Sequence, residues 1–294
     1  MKMTRRHREW LFGYLFIALW IVGLMIFTIF PVVQSFIFSL RDVRISVGGL
    51  EIVDNLGLAN YENAFTYIYF VEALWNYVRA TVITIPAIVV FSVVFGLLLN
   101  QPTKARGLFR TIYFLPVIIS SGPVLSKIQS QGAISIPGLE ESAWLSLIQS
   151  NLPVVLNTGV ENLFARIVSI LWFTGVPTIL ILAGLQKTDR AIYEAAAIDG
   201  AGPWETFWKI TLPSLKPLIN IIIVFSMVSI QIFSSSEIAN IIDARKYTQY
   251  GLSNAFAWIH FATSLVMLLV FLGLVNMRVT RDRVPRLKGG RTHG

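Results

Sequence analysis

Residues 193–217 read YEAAAIDGAGPWETFWKITLPSLKP, and this segment interrupts an otherwise apolar chain. It holds five charged side chains, two glycines and three prolines, whereas 55% of the 294 residues are hydrophobic and only 14% are charged. A mean hydropathy of +0.66 argues against a soluble fold, because so much apolar surface could not be hidden from water. The segment is therefore interpreted as a polar connection between two membrane spans.

Read locally, residues 188–213 predict two short helices joined by a bend. Thr188 or Asp189 can cap the first helix, because a side-chain oxygen there accepts hydrogen bonds from the first free amides. The four alanines that follow favour a helix. Gly200 suits the left-handed residue that ends a helix, and Pro203 suits the first position of the next one.

The second of these helices is predicted to be short and aromatic. Trp204, Phe207 and Trp208 fall on one helix face, and aromatic side chains of this kind settle at the boundary between membrane and water. Pro213 and Pro217 are expected to end this helix before the next span, because proline lacks the amide that a helix interior requires.

Two functions fit this segment when only its residues are considered. It can be an amphipathic anchor that lies on the membrane surface, which explains the aromatic half. It can also be a docking surface for another protein, because alanine and glycine allow close approach and the Glu194 carboxylate can pair with an arginine. The residues alone leave both functions open.

The rest of the chain predicts six membrane-spanning helices. About 20 apolar residues are needed to cross the ~30 Å hydrocarbon layer. The predicted spans are residues 10–40, 77–99, 108–128, 166–185, 218–236 and 254–277, and residues 186–216 form the polar loop. Pro31 is expected to kink the first span. Residues 142–160 are also uncharged, but their Asn, Gln, Pro and Gly content is costly in hydrocarbon and indicates an external element.

The positions of the charges predict the topology. The net charge is +8, and with the amino terminus inside, 17 of the 24 Lys and Arg residues fall on the cytoplasmic side. This asymmetry predicts that both termini are cytoplasmic, so that residues 1–9 and 278–294 flank a membrane domain of residues 10–277. The charge therefore indicates orientation in a membrane and does not indicate a nucleic-acid partner. The first apolar run is too long for a signal peptide and is interpreted as a retained helix.

The stretch EAAAIDGAGPWETFWKITLP at 194–213 resembles the EAA loop of the membrane subunits of binding-protein-dependent ABC importers. The matching residues are Glu194, Ala195, Ala196, Asp199, Gly200, Ala201, Phe207, Ile210, Leu212 and Pro213. The stretches 31–40, 58–65 and 108–118 resemble the carbohydrate branch of this family. The resemblance thus covers most of the chain.

This resemblance implies an all-α integral membrane protein with the type I ABC importer permease fold. It implies that the loop is a coupling helix, whose ATPase-contacting residues are Glu194, Ala195, Ala196, Asp199, Gly200 and Ala201. It also implies three kinds of partner: a second, homologous permease, a pair of ATPase subunits and an extracytoplasmic solute-binding protein. The chain has no phosphate-binding loop motif, so ATP and Mg²⁺ are assigned to the partner ATPase and no catalytic residue is predicted here.

Two regions depart from the family pattern. Residues 237–253, in the loop after the fifth span, lack the Gly-Gly-Pro that family members often carry there. The outer segment 129–165 is long for the family. Family properties are therefore not carried over to these two segments. The carboxyl-terminal tail also differs from that of one usual partner, which favours a heterodimer over a homodimer.

The predicted solute is neutral or weakly charged, because the centres of the spans lack Asp, Glu, Lys and Arg. Sugars are bound by neutral hydrogen-bonding groups and aromatic rings, and the fourth and fifth spans supply both. The candidate path residues are Trp172, Ser226, Ser229, Gln231 and Phe233. A serine in a membrane helix can instead bond a neighbouring helix or its own backbone.

His260 is a lone histidine in an apolar helix, and it is interpreted as a hydrogen-bonding group between helices. No spacing of His, Cys, Asp or Glu typical of a metal site is present, so no metal is predicted.

The sequence thus predicts a permease subunit that lies in a prokaryotic cytoplasmic membrane. It is predicted to import a carbohydrate by alternating access, and an oligosaccharide is the favoured solute. Two alternatives stay open. One is an importer of a polyol, glycerol phosphate or another small solute. The other is a membrane-embedded sensor or anchor that binds a solute without transporting it.

Overall fold

The computed structural model describes residues 5–46, 48–101, 107, 111, 170–233 and 237–277. The helices are α1 (Arg5–Leu24), α2 (Phe30–Ser39), α3 (Ala59–Thr66), α4 (Ile68–Asn100), α5 (Gly175–Lys187), α6 (Arg190–Ile198), α7 (Pro203–Thr206), α8 (Leu212–Phe233), α9 (Glu237–Lys246) and α10 (Tyr250–Asn276). The predicted third span, the outer segment 129–165 and the tail 278–294 lie outside the described residues.

Four helical stretches among the described residues are long and apolar enough to cross a membrane. They are Gly13–Ser39, Ile68–Asn100, Pro203–Gln231 and Tyr250–Asn276. Helix α5 is apolar but shorter, with 13 residues, and one helical turn at residues 170–173 precedes it. The mostly helical architecture with several apolar spans agrees with the predicted class.

The first span is not a regular α-helix. A π-helical turn at Met25–Ile29 separates α1 from α2, and the Phe30 amide donates to the Met25 carbonyl five residues earlier. Pro31 follows at once, and its ring would clash with the carbonyl four residues before it in a regular α-helix. The irregularity of the helix near Pro31 is a widened turn just before the proline.

The all-α prediction is wrong at one place, because an antiparallel β-hairpin follows α2. Strand β1 (Arg41–Ser46) pairs with β2 (Gly49–Asn55), with a register shift between Asp42 and Val43. Val and Ile occur in both strands, and β-branched residues favour extended backbone. Residues 41–75, between the first two predicted spans, contain this hairpin, α3 and the first turns of α4.

Two apolar clusters hold the helices together. The larger one joins α4, α5, α8 and α10 through residues such as Ile85, Ile181 and Ile222. The smaller one joins α3, α4, α9 and α10, where the rings of Phe70 and Phe256 stack 4.3 Å apart between centroids. Such a ring pair contributes roughly 0.5–1.5 kcal/mol beyond its buried area. The smaller cluster supports the end of the bundle that carries the hairpin.

The polar loop and the hairpin lie at opposite ends of the bundle. Helix α10 begins beside the hairpin, where Gly251 approaches the carbonyl oxygens of Phe38 and Arg41. At its other end, Asn276 exchanges two 3.2 Å amide hydrogen bonds with Asn220 near the start of α8. At 1.5 Å per residue, α10 separates these contacts by roughly 37 Å.

Candidate functional site

The candidate site is the coupling segment, which we define as residues 188–213. Its first helix, α6, is capped by Asp189, whose Oδ1 accepts from the Ala191 amide at 3.0 Å. The helix ends in a Schellman motif. The Gly200 amide donates to Ala197 O at 3.1 Å, and the Ala201 amide donates to Ala196 O at 2.9 Å. Both the predicted cap and the predicted glycine stop are confirmed.

Gly200 has a φ of +80°, which lies in the left-handed region that L side chains disfavour. The chain then extends through Gly202, whose φ is −71°, and α7 begins with Pro203 at its first position as predicted. The bend between α6 and α7 is therefore fixed by local backbone chemistry, and no large side chain is needed to build it.

Pro213 and Pro217 do not end the second helix, and this prediction is wrong. A π turn at Phe207–Thr211 continues α7 directly into α8, in which Pro217 is an internal residue. The Leu212 amide donates to Phe207 O, five residues back, just before Pro213. The wider turn removes the need for a proline amide at this point and keeps the helix continuous.

The coupling segment is attached to the bundle by a few contacts. The hydroxyls of Tyr193 and Thr211 lie 3.3 Å apart and join α6 to the π turn. Ala196 is buried, and Phe207 packs against the larger apolar cluster. These contacts hold one face of α6 and leave the opposite face uncovered.

The uncovered face contains most of the residues expected to touch an ATPase. Glu194, Ala195, Asp199 and Gly200 are exposed, and Ala201 is half-buried. Glu194 is paired with Arg190 one turn away, with 3.4 Å between Oε1 and Nε, and both side chains are mostly in solvent. Four of the six predicted contact residues therefore form one accessible surface.

Ala196 was predicted to be a contact residue but points into the bundle, and Ile198 was missed. Ile198 is 86% exposed at the end of α6, an unusual place for a large apolar side chain. Helical periodicity could have shown both facts. Residues 194, 195 and 198 share one face, whereas 193 and 196 share the neighbouring one.

An aromatic group borders this surface. Trp204 is 74% exposed and contacts Trp208 edge-on, with 5.6 Å between ring centroids. Trp208 in turn contacts Phe207 at 5.2 Å. The predicted aromatic face is confirmed in the form of two exposed indoles and one half-buried phenyl ring. Lys209 pairs with Glu205 at 2.6 Å on the outer side of the same turn.

Replacing Gly200 by alanine should loosen the end of α6. A left-handed backbone costs an L residue roughly 1–2 kcal/mol, which corresponds to about a 5- to 30-fold larger open population. Hydrogen exchange at the amides of residues 200 and 201 should accelerate accordingly. Gly202→Ala is the matched control, because Gly202 has an ordinary φ and open space around its Cα. Equal exchange in the two variants would contradict this explanation of the bend.

The candidate path residues are less closely grouped. Ser226 and Ser229 are buried in α8, Gln231 is exposed near its end, and Trp172 is half-buried on the turn before α5. Phe233 is the last residue of α8, and its side chain lies outside what the structure describes. Ser226 Oγ is buried with no hydrogen-bond partner among the described residues.

Of these five residues, only Gln231 lines a cleft that the structure describes between α8 and α10. The cleft has a volume of about 210 Å³, and its other walls include Met227, Phe261 and Ser264. Ser264 Oγ already bonds the His260 carbonyl at 2.9 Å and the Tyr77 hydroxyl at 2.8 Å. The Gln231 amide is thus the polar group best able to bind a solute in this otherwise apolar cleft.

Among the residues that the structure describes, His260 does not form the hydrogen bond between helices that was predicted for it. Its Nε2 atom has no partner within the described part of the chain. Its ring instead contacts the Tyr77 ring edge-on, with 4.6 Å between centroids. Within the described ranges, no three His, Cys, Asp or Glu side chains lie close enough to share a metal ion.

Comparison with known proteins shows that this chain is similar to transport proteins. The family model described as binding-protein-dependent transport system inner membrane component matches residues 70–284. The lactose transport system permease protein LacF of Rhizobium radiobacter is 32% identical over 212 residues, which cover 70% of this chain and 68% of LacF. The trehalose/maltose permease protein MalF of Thermococcus litoralis is 32% identical over 222 residues, covering 73% and 71% of the two chains.

A third relative extends over nearly the whole chain. The multiple sugar-binding transport system permease protein MsmF of Streptococcus mutans is 26% identical over 282 residues, which cover 90% of this chain and 92% of MsmF. Among solved structures, a bacterial ABC transporter involved in the import of the acidic polysaccharide alginate matches with a TM-score of 0.65 at 19% identity, covering 94% and 98% of the two chains. At that identity the likeness establishes the fold.

Proposed function

The chain belongs to the family of binding-protein-dependent transport system inner membrane components, and from this premise we propose that it is the permease subunit of an ABC importer for a carbohydrate. The family that residues 194–213 resemble is thereby confirmed. The proposed solute class is supported by the named relatives, which are permeases for lactose, trehalose or maltose, and multiple sugars.

The observation that carries the proposal is the exposed face of α6 at one end of an apolar bundle. A capped helix with Ala195 and Ile198 in solvent has a surface that water does not favour. A groove on a separate ATPase subunit would cover this surface and could bind the Glu194 carboxylate. Closure of a pair of ATPase subunits would then move α6, and α7 and α8 would transmit the motion to the solute path.

The proposed topology has six spans with both termini in the cytoplasm. It is supported by the four apolar stretches, by the shorter helix α5 and by the uncharged run of residues 111–126 within the predicted span 108–128. In this arrangement residues 10–277 form the membrane domain, with basic segments 1–9 and 278–294 inside. The location follows as the cytoplasmic membrane of a prokaryote.

The proposed complex contains more chains than this one. It includes a second, homologous permease, two ATPase subunits that bind ATP and Mg²⁺, and an extracytoplasmic solute-binding protein. The chain itself would bind no cofactor and catalyse no reaction. Its role would be alternating access, with Gln231 and the buried Ser226 and Ser229 beside the solute path in α8.

Reconstitution tests this function directly. The chain would be assembled in lipid vesicles with its partner permease and ATPase, and labelled oligosaccharides would be supplied outside with the cognate binding protein. ATP-dependent accumulation of a labelled saccharide inside the vesicles is the expected result. Saccharide binding without accumulation would identify a sensor and refute the transport function.

Gln231→Ala should slow uptake in these vesicles. Removing one neutral hydrogen bond costs roughly 0.5–1.5 kcal/mol, so the initial rate should fall about two- to tenfold. Val228→Ala is the matched control, because Val228 lines the same cleft without a hydrogen-bonding group. Initial rates of labelled saccharide uptake provide the measurement. If both variants lose the same activity, the Gln231 amide has no specific role.

A further inference from the structure

A second, more polar cleft lies at the end of the bundle that carries the hairpin. We call it the outer cleft, and its volume is about 480 Å³. Strand β1, helix α3 and the turn between α9 and α10 form its walls. Its lining includes the polar side chains of Asp42, Arg44, Asn63, Arg245, Thr248 and Gln249.

The outer cleft lies far from the coupling segment. Its wall includes Leu252 near the start of α10, whereas the end of that helix lies beside α8 close to the coupling segment. The rise of α10 places the two sites roughly 36 Å apart, more than the thickness of the hydrocarbon layer. If α6 contacts a cytoplasmic ATPase, the outer cleft opens on the opposite side of the membrane.

The Arg245 guanidinium is held in place at the wall of this cleft. Its Nη1 donates to Gln249 Oε1 at 3.1 Å, and its Cζ lies 5.0 Å from the centre of the Tyr67 ring. Tyr67 in turn stacks on Phe256 of the smaller apolar cluster, with 5.8 Å between ring centroids. An arginine oriented in this way loses little side-chain entropy when it binds a ligand.

The charges in the outer cleft do not cancel. Arg44 and Asp42 neutralise each other through two contacts, of 2.9 Å and 3.3 Å. Arg245 has no carboxylate within ion-pair distance among the residues that the structure describes; its contacts there are an amide oxygen and a ring. One oriented guanidinium with unused N–H groups therefore remains, and a carboxylate is the group that matches it best.

We propose that the outer cleft is a docking site for an acidic side chain of the extracytoplasmic solute-binding protein, with Arg245 as the residue that binds its carboxylate. This inference rests on the proposed function, because only an importer has such a partner. The family is binding-protein-dependent by description, and a solved structure of this fold is an alginate transporter in complex with a periplasmic protein. Those findings supply a protein partner for this face, and in the solved complex the acidic saccharide is itself bound to the periplasmic protein.

The position of the cleft also favours a protein over the solute. The outer cleft lies between the hairpin and α9, and it shares no lining residue with the Gln231 cleft between α8 and α10. A carboxylate that binds Arg245 would orient the partner on the rim of the bundle without entering the path. A surface charge of this kind mainly raises the association rate, and salt weakens its effect.

Titration of the assembled complex with its cognate binding protein tests the proposal. ATPase activity in lipid vesicles would be measured against the concentration of saccharide-loaded binding protein. Arg245→Gln should raise the concentration for half-maximal stimulation about tenfold, with the maximal rate changed less than twofold. Lys246→Gln removes the same charge one residue away, outside the cleft lining, and should change this concentration less than twofold.

Further arms decide between the possible outcomes. Arg245→Lys keeps the charge without the planar fork and should fall between the wild type and Arg245→Gln. Raising the salt concentration should weaken the wild type more than Arg245→Gln. Replacing the acidic residue of the binding protein by a basic one should restore stimulation of the Arg245→Glu complex. Equal effects of Arg245→Gln and Lys246→Gln would overturn the proposal.

Failure of this inference is distinguishable from failure of the proposed function. A wild-type complex that no binding protein stimulates would refute the importer itself. A wild-type complex that is stimulated normally, together with an Arg245→Gln complex that is stimulated at the same concentration, would refute only the docking role. Thermal unfolding of each purified variant shows whether loss of the Tyr67 contact has altered the fold. A cleft variant that has wild-type stability and an unchanged half-maximal concentration of binding protein counts against the proposal.

Discussion

Replacing Glu194 by alanine is expected to lower ATP-driven uptake by the reconstituted complex at least about tenfold. Among the residues that the structure describes, the Glu194 carboxylate forms one ion pair, with Arg190, and this exposed pair contributes little to stability. In the proposed complex its carboxylate is covered by an ATPase groove, where loss of one member of a hydrogen-bonded charge pair costs roughly 2–5 kcal/mol. Uptake should therefore fall while the thermal unfolding of the isolated chain stays unchanged.

Arg190→Gln is the matched control for Glu194→Ala. It breaks the same intramolecular pair from the other side and leaves the carboxylate available to a partner. If Glu194 acts only by supporting α6, the two variants should lose similar amounts of uptake. Co-purification of the ATPase subunit with each variant provides an independent measurement. Normal uptake by Glu194→Ala would refute the docking role of this carboxylate.

Replacing Gly251 by alanine is expected to destabilise the chain by about 2–4 kcal/mol, the cost of overpacking plus disturbed buried hydrogen bonds. A Cβ at this position would overlap the Arg41 carbonyl oxygen and lie 3.2 Å from Phe38 O. Backbone atoms cannot move aside as a flexible side chain can. The Asn60 amide, which bonds the carbonyls of Ser39 and Arg41, is also only 3.1 Å from the added atom.

The midpoint of thermal unfolding in detergent should fall by several degrees for Gly251→Ala. Gly273→Ala, in the same helix, is the control, since an added Cβ there meets nothing within 4 Å. It should be neutral or stabilising by up to about 1 kcal/mol, because alanine is the better helix former. An unchanged midpoint for Gly251→Ala would show that α10 and the hairpin can separate without cost.

The coupling segment could be predicted well because its structure is set by local chemistry. Asp189, Gly200 and Pro203 each determine the backbone within one or two residues, so their effects can be read along the chain. The accessible face of α6 could have been predicted by helical periodicity as well. The burial of Ala196 could have been predicted from the same helical periodicity.

The hairpin and α9 were missed for a different reason. Both lie in segments whose hydropathy is low, and neither resembles a membrane span. Their positions depend on contacts distant in sequence, such as Asn60 with the carbonyls of Ser39 and Arg41, and Ile238 with the smaller apolar cluster. The outer cleft brings together Arg44 and Arg245, 201 positions apart, and no local pattern relates them.

Pro213 was misread because a proline was assumed to end its helix. The clash that proline causes is real, but it can be relieved by one widened turn upstream. The same arrangement occurs before Pro31, where a π turn again precedes the proline. In this protein the pairing of a π turn with a following proline marks a continued helix.

The continuity of Pro203–Phe233 has a mechanical consequence. From Trp204 to Gln231 the helical path advances by 27 residues, or roughly 40 Å, and every residue on it is helical, although Pro213 and Pro217 each omit one amide hydrogen bond. If this helix rotates as a rigid body about a point near the middle of the membrane, its two ends move in opposite directions. A pull at Trp204 would then displace Gln231 in the opposite direction. One gate would close as the other opens, and no hinge between them would be required.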